Sequence, residues 1–365
     1  MTNETSVAPA TEPPTITPAG APLVDRLAAT ASRRAAVISQ GRKAHSARRY
    51  DRGGWASLIF RVRHRGFEDI WPPLLLVLLV SAAWTPLVAT GTVSDGVCDA
   101  IDTYQSAFSL LMTVLSLLLA FRLNRAAHRH YEARGLCGLM IAKSREVSIG
   151  AIAHFSADPR MRDALCEIAV AYPVSFHVHL TGGGGARPKS ELRAMLEGIL
   201  DEATLGLLLE ASHWPNTLTL IAQQRLDAAL AAARATDRAV LAVMFGEEIL
   251  DSIRAVAVAL GGCERIMGTP LPFVYVSHLR TFLVLVLCFG VPLVFACSWG
   301  WAAIGLAPLV AFCFLGVEAA SIECERPFSG TPSKNHHDLE RFAIAVSAEV
   351  EEMLRCAQRA SKYAF

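Results

Sequence analysis

The residues whose types could do chemistry are scattered, and their spacing completes no reaction centre. His177-x-His179 and His336-His337 offer imidazoles. Neither pair has a third ligand at helical spacing, so no metal is expected. Ser148 is followed by Ile149-Gly150, but Glu146 stands where a nucleophile elbow needs its first glycine. Ser175 is no more than a sequence neighbour of His177. Gly182–Gly185 lacks the Lys and Ser/Thr that complete a phosphate loop. The 9 cysteines contain no C-x-x-C pair and suggest no disulfide framework. Cys288, Cys297 and Cys313 lie in apolar runs and read as small hydrophobes. The chain therefore does not read as an enzyme, and no cofactor is expected.

What remains is charge set against apolar runs. Arg122 and Arg125 end a long apolar stretch, where they would attract anions if they face a water-filled path. Arg280 stands among apolar residues, which is unfavourable in lipid. It reads as snorkelling to the interface or pairing with Glu318; the sharper alternative is a place on an ion pathway. Glu247-Glu248 reads as a solvated helix face, or else as a cation-attracting ring.

The element that must position these groups is Phe108–Met140. Asp102 and Arg122 enclose 19 uncharged positions, close to the ~20 that cross a bilayer as a helix. Ser106, Ser109, Thr113 and Ser116 dot the run, which suits a protein-packed or pore-facing helix better than a lipid-facing one. Its basic continuation cannot lie in lipid, so the helix is expected to run on into a water-exposed layer.

The rest of the chain fits a membrane part joined to a soluble part. It has 365 residues, 53% hydrophobic and 18% charged, with a mean hydropathy of +0.37. A net charge of +1 gives no global field for nucleic acid. Residues 1–50 read as a disordered or basic arm. Arg33, Arg34, Arg42, Lys43, Arg48 and Arg49 suit either anionic lipid or a cleaved transit peptide, with Glu4 and Glu12 against the latter. Trp55–Phe60 with Arg61, Arg63 and Arg65 reads as an interfacial helix. Ile70–Ser94 is uncharged and gives the first span, with Pro72 and Pro73 suiting its start. Together with the second span this fills 51–122.

Residues 123–266 read as a soluble helical layer. The run after Arg280 stays uncharged to Val317, too long for one crossing, so two spans are expected in 267–322, about 272–297 and 302–321, turning at Ser298–Trp301. Residues 323–365 end in an amphipathic tail helix over 338–360. Asp95, Asp99 and Asp102 make the first connector acidic, while both outer flanks of that hairpin are basic. The connector therefore lies on the far side, with residue 122 onward on the cytoplasmic or stromal side. The fold class is all-α, with four spans, in a thylakoid or bacterial inner membrane.

Four patches, in order, resemble the bestrophins and bestrophin-like anion channels, most closely their bacterial and photosynthetic branch. They are Ile70-Trp71-Pro72-Pro73; Leu115–Asn124 with Tyr131-Glu132-Ala133-Arg134 and Gly138; Cys263-Glu264-Arg265-Ile266 leading into Thr269–Tyr275; and Gly316-Val317-Glu318 with Glu325-Arg326-Pro327-Phe328. Tyr131 and Cys137 depart from the family's tryptophans. The resemblance implies a homopentamer around one axial pore. Its neck would fall on Ser106, Leu110 and Val114, whose i, i+4, i+8 spacing shares a helix face. Ser106 and Val114 are smaller than the family's usual residues there. The lower aperture would fall at Leu241 and Met244. The animal branch's calcium clasp has lost its acids here, with only Asp338 and Glu340 left and Lys334 intruding, so no calcium site is implied. The implied function is passive conduction of chloride or another small anion, with the lipid bilayer and further copies of the chain as partners. A bicarbonate or monovalent-cation channel of the same fold, or a non-conducting scaffold, are the alternatives.

Overall fold

The computed structural model describes residues 21–30, 67–181, 189–234, 239–328 and 337–361. The expected interfacial helix, most of the basic arm, the Gly182–Gly185 loop and Lys334 lie outside them. The described residues are helical, with no strand and only an isolated bridge between Glu197 and Leu200. The helices run α1 (Leu23–Ala29), α2 (Phe67–Ala89), α3 (Asp95–Thr103), α4 (Gln105–His154), α5 (Pro159–Thr181), α6 (Lys189–Leu196) and α7 (Glu202–Glu210). They continue as α8 (Trp214–Arg234), α9 (Ala239–Gly268), α10 (Phe273–Val284), α11 (Val291–Trp299), α12 (Ala303–Glu325) and α13 (Leu339–Ser361).

Two apolar cores form, joined end to end by α4. Val77, Leu115, Leu119, Leu283, Leu287, Ala307 and Ala311 belong to the first. Met140, Ala151, Leu165, Phe176, Leu218, Ile253, Val256 and Val346 belong to the second. Helix α4 is 50 residues long, about 75 Å at 1.5 Å per residue. It exceeds any bilayer, as its apolar-then-basic sequence requires. Against its second half α9 packs closely. A Cβ on Gly262 would meet Leu136 Cδ1 at 2.7 Å, and one on Gly150 would meet Ile249 Cγ1 at 2.7 Å. A hydrogen at those positions leaves room for the branched carbons of the facing Leu136 and Ile249 side chains.

Among the described residues, three stretches are long and apolar enough to cross a membrane: Ile70–Ala89, the helix Gln105–His154, and the run Phe273–Glu325. The last holds α10, a π-helical stretch at Leu285–Gly290 and α11, then a short 3₁₀ turn at Gly300–Ala302 and α12. Gly300 has φ of 52°, a backbone setting that glycine adopts without a Cβ clash. It sits in the turn expected at Ser298–Trp301.

Some boundaries differ from the sequence expectation. Helix α2 starts at Phe67, so Pro72 and Pro73 lie inside it instead of opening it. As the sixth and seventh residues of the helix they lie beyond its four free N–H groups, so each forfeits one backbone hydrogen bond. Pro215 lies inside α8. It is the second residue of α8, where proline is tolerated. Helix α9 runs through Gly261 and Gly262 and continues to Gly268.

The cysteine reading needs correction. Cys98 on α3 and Cys297 on α11 form a disulfide, with Cα atoms 5.4 Å apart. Cys297 is therefore no mere small hydrophobe. The pairing joins positions 199 residues apart, which no local spacing rule reveals.

Candidate functional site

The candidate site is a stripe along the first half of α4. Leu115 and Leu119 turn into the core, fixing the rotation of the helix. The opposite stripe holds Ser106, Leu110 and Val114 and continues through Leu117 and Phe121. All five are exposed on the protomer, Leu110 by 65% and Val114 by 42%. Leu110, Val114, Leu117 and Phe121, with no intramolecular cover, form an apolar face that lipid, a partner or a lumen must cover. The hydroxyls nearby bond to the helix itself. Thr113 Oγ1 donates to Ser109 O at 2.9 Å and Ser116 Oγ to Met112 O at 2.8 Å. A hydroxyl bonded in this way needs no second helix, so the polar dots carry less information than their spacing suggested.

Arg122 is not the exposed attractor that its place in the sequence suggested. It is fully buried. Its Nε donates to Glu318 Oε2 at 2.5 Å and its Nη2 to Glu325 Oε2 at 3.3 Å. A cation this enclosed and this close to carboxylates is neutralised inside the protomer, because desolvation leaves it no alternative. Arg125, three residues later, is exposed. Arg280 takes the pairing reading: its Nε donates to Glu318 Oε1 at 2.9 Å, while half its side chain stays exposed. One carboxylate thus ties α4, α10 and α12 together. Glu325 as the second partner of Arg122 was not foreseen; its seven-residue spacing from Glu318, two helical turns on one face, was the available signal.

Below this network lies a cavity of about 850 Å³ whose lining includes Arg122, Arg129, Arg280, Glu325, Arg326 and Phe328. Arg129 is held there by Thr269 O at 2.7 Å and Ile266 O at 2.5 Å.

At the far end of α4, the His154 ring stacks on Phe245 of α9 with centroids 3.5 Å apart. Met244, Glu247 and Glu248 are exposed beside it, the first by 63%. Leu241 falls within α9, with its side chain outside the described residues. His336 is also outside them, whereas His337 Nε2 meets His130 O at 3.0 Å, joining the tail to α4. Asp338 Oδ1 accepts from Arg341 N at 3.3 Å, which occupies that carboxylate at the start of α13. Buried thiols are held protonated: burial pushes Cys166 up to about 12. A hydrogen bond to Cys137, then burial, raises Cys263 further. Neither offers a thiolate nucleophile near neutral pH.

Comparison with known proteins bears on this arrangement. The profile of the bacterial/fungal bestrophin protein family matches residues 46–352. A voltage-dependent anion channel-forming protein of Synechocystis is 26% identical over 66% of this chain and 75% of its own length. One of Mesorhizobium japonicum is 30% identical over 60% of this chain and 66% of its own length. A chloroplastic voltage-dependent chloride channel of Arabidopsis thaliana is 27% identical over 61% of this chain and 51% of its own length. Among solved structures, a mutant bestrophin homolog from Klebsiella pneumoniae superposes with a TM-score of 0.65 at 21% identity, covering 78% of this chain and 99% of that one.

Proposed function

The chain belongs to the bacterial/fungal bestrophin family, and from that premise we propose that it is an ion channel passing chloride or other small monovalent anions down their gradient. The observation that carries this reading is the exposed Ser106–Leu110–Val114 stripe on α4. A protomer that leaves such a face uncovered is suited to assemble around an axis, and we propose a homopentamer with this face at its neck. Conduction there needs no covalent chemistry. It depends on the width of an apolar constriction and on the field at its ends. The names of the Synechocystis, Mesorhizobium and Arabidopsis relatives support an anion as the permeant species. Arg125, exposed where Arg122 is not, is the better candidate for drawing anions toward the neck. Met244, with Leu241, is proposed for the lower aperture, and Glu247 and Glu248 for its charged surround.

We further propose four crossings: α2, the first half of α4, α10 through α11, and α12. The division is then an arm over 1–50, a first membrane unit over 51–122, a helical vestibule over 123–266, a second membrane unit over 267–322 and a tail over 323–365. The Cys98–Cys297 disulfide supports this arrangement. Both cysteines then lie on the face opposite the basic flanks, where a disulfide persists if that compartment is oxidising. A bacterial inner membrane meets that requirement, and a thylakoid membrane remains the alternative setting.

The test is current across a planar bilayer holding the purified protein under a potassium chloride gradient. A reversal potential at the chloride equilibrium value supports the proposal. Reversal at the potassium value overturns the selectivity and directs attention to Glu247 and Glu248. No current from an intact assembly overturns conduction and leaves the scaffold.

A further inference from the structure

Away from the pore, three side chains from three separate helical segments converge on one point. His179 lies near the end of α5, His213 immediately precedes α8, and Glu264 lies near the end of α9. His179 Nε2 and His213 Nε2 each sit 2.7 Å from the same oxygen, Glu264 Oε1. The ring centroids are 4.5 Å apart. The potential donor atoms of all three residues lie within 4.8 Å of one another. No local spacing reveals this convergence, because the three residues are 34 and 51 positions apart and His177-x-His179 supplies only one of them.

We propose that His179, His213 and Glu264 form a binding site for a divalent transition-metal ion of the zinc class. Two imidazole nitrogens and one carboxylate oxygen make a borderline donor set, which favours zinc over calcium or magnesium. Zinc in tetrahedral geometry at about 2.0–2.1 Å from each donor needs the two nitrogens and the oxygen slightly further apart than they stand now. A small rotation of the Glu264 carboxylate supplies that spread. His179 is nearly enclosed, with 7% of its side chain exposed, whereas His213 and Glu264 are about a third exposed. One side of the site is therefore fixed by packing, and the other gives an ion a way in and a fourth position for water. Before binding, the arrangement is held by two imidazole–carboxylate hydrogen bonds; an ion would replace both protons. His213 Nδ1 accepts from Asn216 N at 3.3 Å. With Nδ1 accepting, the neutral ring carries its one N–H proton on Nε2; metal on Nε2 displaces that proton to Nδ1, so this long contact is given up on binding. Because the ligands come from α5, the start of α8 and α9, a bound ion ties those segments together just before the chain enters α10.

The test uses full-length protein in detergent, stripped with chelator, then titrated with zinc against a competing dye, with calcium as the control ion. One zinc per chain, weakened at least tenfold by His179→Gln and by His213→Gln, is the expected result. Cobalt in place of zinc should give the intense visible absorption of a tetrahedral nitrogen–oxygen site, a readout on the unmutated chain that does not depend on whether a variant folds. Absence of stoichiometric zinc binding, zinc binding unchanged in both histidine variants, or octahedral cobalt absorption overturns the proposal.

Discussion

Arg122 Nε lies 2.5 Å from Glu318 Oε2, joining the middle of α4 to α12, at a position where the arginine has no exposure. The other oxygen of Glu318 takes Arg280. Removing the carboxylate leaves a buried guanidinium with only its longer contact to Glu325. Breaking a buried pair from one side destabilises by about 3–5 kcal/mol. Glu318→Ala should therefore lower the thermal unfolding temperature in detergent sharply. Arg280→Ala should do much less, since Arg280 is half exposed and its loss leaves Glu318 still paired. Equal losses from the two variants would contradict the assignment of Arg122 as the buried member.

The Cys98–Cys297 bond gives an independent check on which way the chain faces. A cross-link across a long loop contributes about 2–4 kcal/mol in chain-entropy models. Cys98→Ser should lower stability by that order and make Cys297 reactive. In sealed vesicles of known orientation, a membrane-impermeant maleimide should label Cys297 of that variant only from the face opposite Arg125. Labelling from the same face as Arg125 would refute the proposed topology.

Much of the architecture was legible because bilayers and helices impose strong periodicities. The apolar run ending at Arg122, the turn at Gly300 and the tail from Leu339 all follow from local composition. What could not be read was long-range pairing. Arg122 looked like a surface charge because its partners, Glu318 and Glu325, are about two hundred residues away. Cys297 looked like core filler because Cys98 is 199 residues distant. Helix rotation was half legible: the spacing of Ser106, Leu110 and Val114 defines a face, but only the packing of Leu115 and Leu119 shows that this face is uncovered.

Asp201 supplies a pH dependence. It precedes α7, and its Oδ1 accepts from Thr204 N at 2.9 Å and its Oδ2 from Thr204 Oγ1 at 2.7 Å. Burial alone would raise its pKa. The two Thr204 bonds and Arg225 together outweigh burial and lower it. A carboxylate with a depressed folded-state pKa contributes stability that is present above its unfolded value, about 3.9, and is lost as pH falls through the folded value. Unfolding followed from pH 6 down to pH 3 should show that loss, and Asp201→Asn should reduce it. At neutral pH, Asp201→Ala should destabilise by about 1 kcal/mol through the missing cap. The ionic share stays small, because 47% of the side chain is exposed and solvent screens it.

The proposed neck residues make opposite predictions according to size. In an apolar constriction, water and ions are excluded more strongly as the lining becomes narrower and more hydrophobic. Leu110 is the bulkiest of the three and is more exposed than Val114. Leu110→Ala should raise single-channel conductance, and Ser106→Phe, on the same stripe, should lower it. Leu115→Ala gives the contrast: Leu115 is fully buried in the apolar core, so its truncation should destabilise by about 2–5 kcal/mol and leave the conductance of surviving channels unchanged. Bilayer recordings of the three variants, each checked for an intact assembly, separate the pore face from the packed face. Conductance that follows Leu115 instead of Leu110 would mean that the opposite side of α4 lines the path.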